Sequence, residues 1–102
     1  MGIFDFLFGN KSKKVKEFQA REAVILDVRT KAEYESGAIP GSRHIPLQQL
    51  GARVSDVKKW NKPVITCCAS GMRSATAAAL LRKNGVETMN GGGYASLYEK
   101  LQ

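Results

Sequence analysis

The stretch Val64-Ile65-Thr66-Cys67-Cys68-Ala69-Ser70-Gly71-Met72-Arg73-Ser74-Ala75 brings a nucleophile, small residues and a guanidinium together. An apolar, β-branched run ends in a cysteine, a short turn of small residues follows, and a helix-forming run begins at once. In an open parallel sheet, ligands bind beyond the carboxyl ends of the strands. A helix N-terminus there offers unpaired N–H groups and a partial positive charge, and both favour thiolate over thiol. Gly71 can adopt positive φ, so successive N–H groups can curl inward as an anion-binding nest. Arg73 adds a full charge on a planar fork that suits sulfate- or phosphate-like oxyanions. The residues Cys68, Ala69, Ser70, Gly71, Met72 and Arg73 thus read as a nucleophilic sulfur in a bowl for anions. Cys67, inside the strand, reads as a small core hydrophobe.

A second count starts from Cys67. Five residues then separate it from Arg73-Ser74, which satisfies the C-x5-R-[ST] phosphatase loop. Against this count, Thr66 stands where phosphatases usually carry His, and the general acid would have to be Asp56 or another distant carboxylate. The adjacent thiols also suggest a protective vicinal disulfide, but its strained ring and the opposite facing of neighbouring strand residues argue against it. Asp27 and Arg29 follow a neighbouring strand and should border the bowl. Asp27 would fix the loop or Arg73, and Arg29 would shape the scaffold; alternatively the two form a structural ion pair at a strand–helix junction. Met72 stands on the rim, to contact an acceptor or to cover the site. Ser74 supports the loop or caps the helix. His44 reads as structural.

These residues need strands and helices in alternation. Ala23–Val28 reads as a central strand buried on both faces. Thr30 and Glu33 form a capping box that opens a helix over Lys31–Ser36, and Gly37 stops it. Ala38–Gly41 is a tight turn, and Arg43–Ile45 a brief strand. Pro46–Trp60 is mostly helical with an interruption near Gly51–Ser55. Pro63–Cys67 is the strongest strand, Ser74–Lys83 a helix ended by Asn84-Gly85, and Val86–Met89 another strand. Asn90–Gly93 reads as a flexible loop before a terminal helix over Tyr94–Leu101. Strands separated by helices pair in parallel through right-handed crossovers. The expected fold is α/β: three layers, with a mainly parallel central sheet flanked by helices.

With 102 residues the chain makes one domain, and 43% apolar with 25% charged residues is ordinary for a globular one. No apolar run approaches the ~18 residues of a membrane span. Two adjacent cysteines and one histidine make neither a disulfide scaffold nor a zinc site, so no metal is expected. The net charge of +7, from 16 basic and 9 acidic residues, favours anionic partners. No recognition helix or stacking aromatics point to specific nucleic-acid binding. Arg73, with Arg29 and Arg43, is expected near the site. Residues 1–14 read as an N-terminal apolar and basic segment, and 15–102 as the domain. Met1–Phe8 is packed on the domain edge with solvated lysines beyond it, or else touches a membrane surface peripherally. Its charge order is not that of a secretory signal, so the expected location is cytoplasmic.

Cys68–Ser74 (CASGMRS) resembles the active-site loop of the rhodanese-like sulfurtransferases, in which a cysteine opens a six-residue loop closed by arginine. Asp27-Val28-Arg29 matches the family's DVR, followed by Glu33-Tyr34 and Gly37. Gly37–Leu47 (GAIPGSRHIPL) resembles its GHIPGAxNIP segment, and Asn90-Gly91-Gly92 its glycine pair before the last helix. The pieces keep family order over residues 23–98. Ala38, His44, Cys67 and Leu97 depart from the usual pattern without touching nucleophile, loop length or arginine. The resemblance implies a single-domain enzyme that moves sulfane sulfur through a Cys68 persulfide. The donor would be thiosulfate or a protein persulfide, and the acceptor cyanide, a thiol or a protein, without a cofactor. A non-catalytic sulfur carrier would share that chemistry.

Overall fold

Val24–Asp27 (β1) and Val64–Cys68 (β3) lie side by side in parallel, with Val24 opposite Val64 and Asp27 opposite Cys67. The structure, a computed structural model, describes residues 10–102, so the expectations for Met1–Phe8 lie outside the described residues. Arg43–His44 (β2) flanks β1, and Thr88–Gly93 (β4) flanks β3, giving a four-stranded sheet in the order β2-β1-β3-β4. Every pairing is parallel. All five β3 residues are buried, as a continuous β-branched run predicts for a strand covered on both faces.

Successive strand residues point to opposite faces, so each face builds its own core. On one face, Ile65, Cys67 and Met89 pack with Val15 and Phe18 of α1 (Asn10–Ala20) and with Leu97 of α6 (Tyr94–Leu101). On the other, Leu26, Val28, Val64 and Cys68 pack with residues of three helices. These are Leu50 of α3 (Leu47–Leu50), Val57 of α4 (Val54–Lys59), and Ala77 and Leu81 of α5 (Met72–Lys83). The arrangement is helix–sheet–helix, the expected three layers. A 3-10 turn at Gly51–Arg53 interrupts the helical stretch between β2 and β3 where the sequence places a break.

The short helix α2 (Lys31–Glu35) shows both arms of its capping box. The Glu33 N–H donates to the Thr30 hydroxyl, and the Glu33 carboxylate accepts from the Thr30 N–H at 3.0 Å. Each arm satisfies a helix-end donor that has no partner within the helix.

Three elements differ from expectation. Residues Asn10–Ala20, read in part as solvated lysines, form α1, because Val15 and Phe18 supply a buried stripe. Its lysines also fasten the layer: Lys16 Nζ donates to the Gln102 carbonyl at 2.6 Å. The helix expected from Ser74 starts at Met72, since Gly71 at φ 104° turns the chain directly into it. The last strand runs from Thr88 to Gly93 instead of Val86 to Met89, so Asn90–Gly93 is sheet and not loop. Glycine is a poor strand residue, but here close contact demands it. A Cβ on Gly91 would fall 2.7 Å from Ile65 Cγ2 and 2.8 Å from the Thr66 carbonyl.

Candidate active site

The sulfur of Cys68 sits where β3 meets α5, at the carboxyl end of the sheet. Gly71 occupies the N-cap position of α5 and has no side chain to cap with. The sulfur takes that place. It accepts from the Gly71 N–H at 3.0 Å and from the Ser74 N–H, the third helical residue, at 3.4 Å. The Ser74 hydroxyl lies 3.3 Å from the same sulfur. Burial alone would raise the Cys68 pKa. The hydrogen bonds from the Ser74 hydroxyl and amide and the Gly71 amide, with the smallest share from Ser70, outweigh it and hold the thiol below its ordinary 9.0. Of the bowl residues the sequence names, Gly71 thus bonds the sulfur directly. Ala69 and Ser70 make the turn, while Met72 and Arg73 already belong to the first turn of α5. Met72 is 80% exposed, on the rim.

Cys67 is placed differently. It is fully buried in the opposite core, and burial first, then the Asp27 charge, pushes its thiol up to about 12. A phosphatase loop counted from Cys67 would need that sulfur to be an accessible thiolate facing Arg73. The geometry gives it neither property.

Asp27 and Arg29 form a buried ion pair. Arg29 Nη2 donates to Asp27 Oδ2 at 2.7 Å and its Nε to the same oxygen at 2.9 Å, while the Arg29 N–H reaches Oδ1 at 2.9 Å. Arg29 Nη2 also donates to the Gly37 carbonyl at 2.7 Å, and its guanidinium lies 3.8 Å over the Tyr94 ring. The pair therefore joins β1, the turn after α2 and α6. Asp27 is not the partner of Arg73. Arg43 is not at the mouth either: its guanidinium covers Trp60 at 4.6 Å. His44 stacks on Tyr34 with ring centroids 4.4 Å apart, and its Nε2 lies 2.7 Å from the Arg29 carbonyl.

Two residues at this site escaped the sequence reading. Arg73 donates through Nη1 to Glu33 Oε1 at 2.7 Å and through Nη2 to Oε2 at 3.0 Å. The capping-box glutamate thus also binds the loop's arginine, which draws the Glu33 carboxyl down to about 2. Asn90 bridges β4 to the turn. Its Nδ2 donates to the Gly71 carbonyl at 3.1 Å, and its Oδ1 accepts from the Ser74 hydroxyl at 2.7 Å and the Gly92 N–H at 2.9 Å. The capping box gave Glu33 a complete local reason to exist, and at Asn90 the sequence signalled only the glycine pair that follows it. Lys11 is half-buried at this end of the sheet, its Nζ 3.2 Å from where a Gly92 Cβ would stand. Burial and then Lys100 lower its pKa.

A separate cleft of about 450 Å3 opens near the amino ends of β3 and β4, between Arg21, Lys58, Lys62, Pro63 and Glu87. No nucleophile lines it. Among the described residues there is no cluster fit to hold a metal ion, and no helix is long and apolar enough to cross a membrane.

The arrangement is a depressed-pKa thiol under a turn of backbone donors, and the chain that carries it is similar to known proteins in sequence and fold. The uncharacterized protein YqhL of Bacillus subtilis is 44% identical over 77 residues, 74% of this chain and 60% of that protein. The putative sulfur carrier protein YrkF of the same organism is 43% identical over 61 residues, 60% of this chain and 32% of its own length. The chain thus spans less than two thirds of either relative. The thiosulfate sulfurtransferase GlpE of Pseudoalteromonas translucida is 34% identical over 70% of both chains. Among solved structures, the rhodanese with anions from E. coli superposes with a TM-score of 0.65 at 28% identity, over 72% of this chain and 89% of that one. A human single-domain sulfurtransferase gives 0.64 at 25% identity, over 86% and 92%. The family model described as the rhodanese-like domain matches residues 11–99. With that match spanning nearly all of the described sheet and helices, the chain belongs to the rhodanese-like domain family.

Proposed function

We propose that this protein is a sulfurtransferase that carries a sulfane sulfur as a persulfide on Cys68. The observation that carries this reading is the seat of the Cys68 sulfur on the Gly71 and Ser74 amides, 3.0 and 3.4 Å away. The thiolate attacks the outer sulfur of a donor, either thiosulfate, which leaves as sulfite, or a persulfide, which leaves as a thiol. A new Sγ–S bond replaces the donor's S–S bond, with no net oxidation. The persulfide is an anion at neutral pH, and the N–H groups of the turn from Ala69 to Arg73 stabilise its terminal sulfur as an oxyanion hole stabilises oxygen. An acceptor thiol, protein or cyanide then removes that sulfur. Splitting the transfer through a covalent intermediate replaces one difficult step with two easier ones. Asp27 and Arg29 hold the turn before β2 against α6, and Ser74 tunes the nucleophile. No cofactor takes part, and the reaction is assigned to the cytoplasm.

A second reading is that the domain loads once from a partner and delivers to another protein, as the name of its relative, the putative sulfur carrier protein YrkF, suggests. Intact mass after incubation with thiosulfate or with a low-molecular-weight hydropersulfide tests the chemistry common to both. One added sulfur is expected, lost in Cys68→Ser and retained in Cys67→Ser. Multiple turnovers with cyanide then distinguish enzyme from carrier. Absence of any sulfur adduct from either donor would overturn both.

A further inference from the structure

We propose that Glu33 is a specificity-determining residue that turns this site away from oxyanion donors such as thiosulfate and toward hydropersulfides. The inference rests on the sulfurtransferase reading above and names its donor class. A guanidinium recognises a sulfonate or sulfate through two parallel N–H groups that match two oxygens. In Arg73 that fork is already filled, by Glu33 Oε1 at 2.7 Å and Oε2 at 3.0 Å. The partner is well held, because the same carboxylate also accepts the Thr30 N–H and hydroxyl, each at 3.0 Å. Swinging Glu33 aside therefore costs α2 the carboxylate arm of its capping box as well as the ion pair.

The other cations the sequence assigns to the mouth are equally committed. Arg29 is bound to Asp27 and to the Gly37 carbonyl, and Arg43 lies over Trp60. Lys11 Nζ stands 3.2 Å from where a Gly92 Cβ would be, on the β4 segment that packs against Gly71. A dianion entering the bowl meets a compensated Arg73 and the Glu33 carboxylate beside it. A hydropersulfide has no oxyanion to seat. In its reaction the Cys68 thiolate bonds the terminal sulfur of RS–SH, the RS–S bond breaks, and the electron pair leaves on RS−. The proton of the transferred sulfur passes to that thiolate, leaving a Cys68 persulfide anion and RSH. Only the backbone donors of the turn are needed, and those stay free of Glu33.

The test compares Glu33→Gln, which keeps an acceptor for the Thr30 N–H but removes the charge, with the parent chain. Thiosulfate affinity is first titrated in a Cys68→Ser background, where no transfer can occur. Glu33→Gln should tighten it roughly tenfold, the scale of one charge-assisted hydrogen bond released to the ligand. In the Cys68 chain, the ratio of kcat/KM for thiosulfate to that for glutathione hydropersulfide should rise by a similar factor. Glu33→Ala, which removes the charge and the carboxylate arm of the capping box together, should move both readouts in the same direction, with thermal melting reporting its folding. Unchanged or weaker thiosulfate binding in Glu33→Gln overturns the role of Glu33 whether or not sulfur is transferred. Failure of both donors to load Cys68 overturns the sulfurtransferase reading and leaves the binding result to decide on Glu33 alone.

Discussion

Cys67 and Cys68, consecutive in the chain, belong to two different hydrophobic cores. The β3 backbone sends one sulfur toward α1 and α6 and the other toward the turn before α5. Their acidities diverge accordingly, Cys67 at about 12 and Cys68 below 9.0. Iodoacetamide at neutral pH should therefore alkylate Cys68 alone in the folded protein. Peptide mapping checks this, and equal labelling of Cys67 would contradict the two-core arrangement.

Ser74 supplies two donors to the Cys68 sulfur, its amide and its hydroxyl. Ser74→Ala keeps the amide and removes the hydroxyl. The Cys68 pKa should rise, and because alkylation needs the thiolate, the rate at pH 7 should fall about tenfold, as expected for one hydrogen bond to a charged group. The acid limb of the rate profile should move to higher pH. An unmoved limb would show that the Ser74 hydroxyl does not reach the thiolate.

Asp27→Asn should destabilise the fold by roughly 3–5 kcal/mol, since it leaves the Arg29 guanidinium buried without its counter-charge. Replacing both residues together by apolar ones of similar volume, Asp27→Leu with Arg29→Met, should recover much of that loss. Urea midpoints measure both. Additive losses in the double variant would mean that the two charges act independently.

The Glu33 carboxyl titrates lower in the folded chain than its ordinary 4.5, at about 2, chiefly because Arg73 binds it. A depressed carboxyl stabilises the fold above its unfolded pKa and loses that contribution as pH falls through the folded value. The stability difference between the parent and Glu33→Gln should thus be constant above about pH 5 and shrink between 4.5 and 2. Denaturation at a series of acid pH values checks the window.

Two glycines of β4 should respond differently to alanine. At Gly91 the new Cβ strikes the side chains of Ile65 and Leu97 as well as the Thr66 carbonyl, so stability should drop by about 1–3 kcal/mol. At Gly93 it falls 2.7 Å from the Ala69 carbonyl, in the turn that seats the sulfur. Gly93→Ala should consequently slow Cys68 alkylation more than Gly91→Ala does, for an equal change in melting temperature.

What the sequence made legible was local. The β-branched run of β3, the Thr30–Glu33 box and the Asn84-Gly85 stop are each complete within a few residues, and each is where the sequence places it. The seat of the Cys68 sulfur was legible for the same reason, since strand end, turn and helix start are contiguous around it. The Arg73–Glu33 pair was not, because it spans 40 positions and is made only when α2 folds over the turn. The same holds for Asn90, two of whose three bonds come from the meeting of β4 with the start of α5. The helix α1 was obscured by its lysines, whose charge masked a stripe of only Val15 and Phe18. The true extent of β4 ran against propensity, because close packing there selects glycine over a strand-forming residue.

Between Thr66 and Cys68 the pairing of β3 with β4 shifts, from Thr66 opposite Asn90 to Cys68 opposite Gly93. The extra residue sits on β4, so β3 keeps strict alternation up to its last residue. Parity therefore decides which thiol faces the turn. Inserting one residue at the start of β3 while holding its pairing would bring Cys67 into the place at the turn and carry Cys68 past the end of the strand. Which sulfur meets the Gly71 and Ser74 amides is an odd–even count along a five-residue strand, and the chain carries the other thiol one step away.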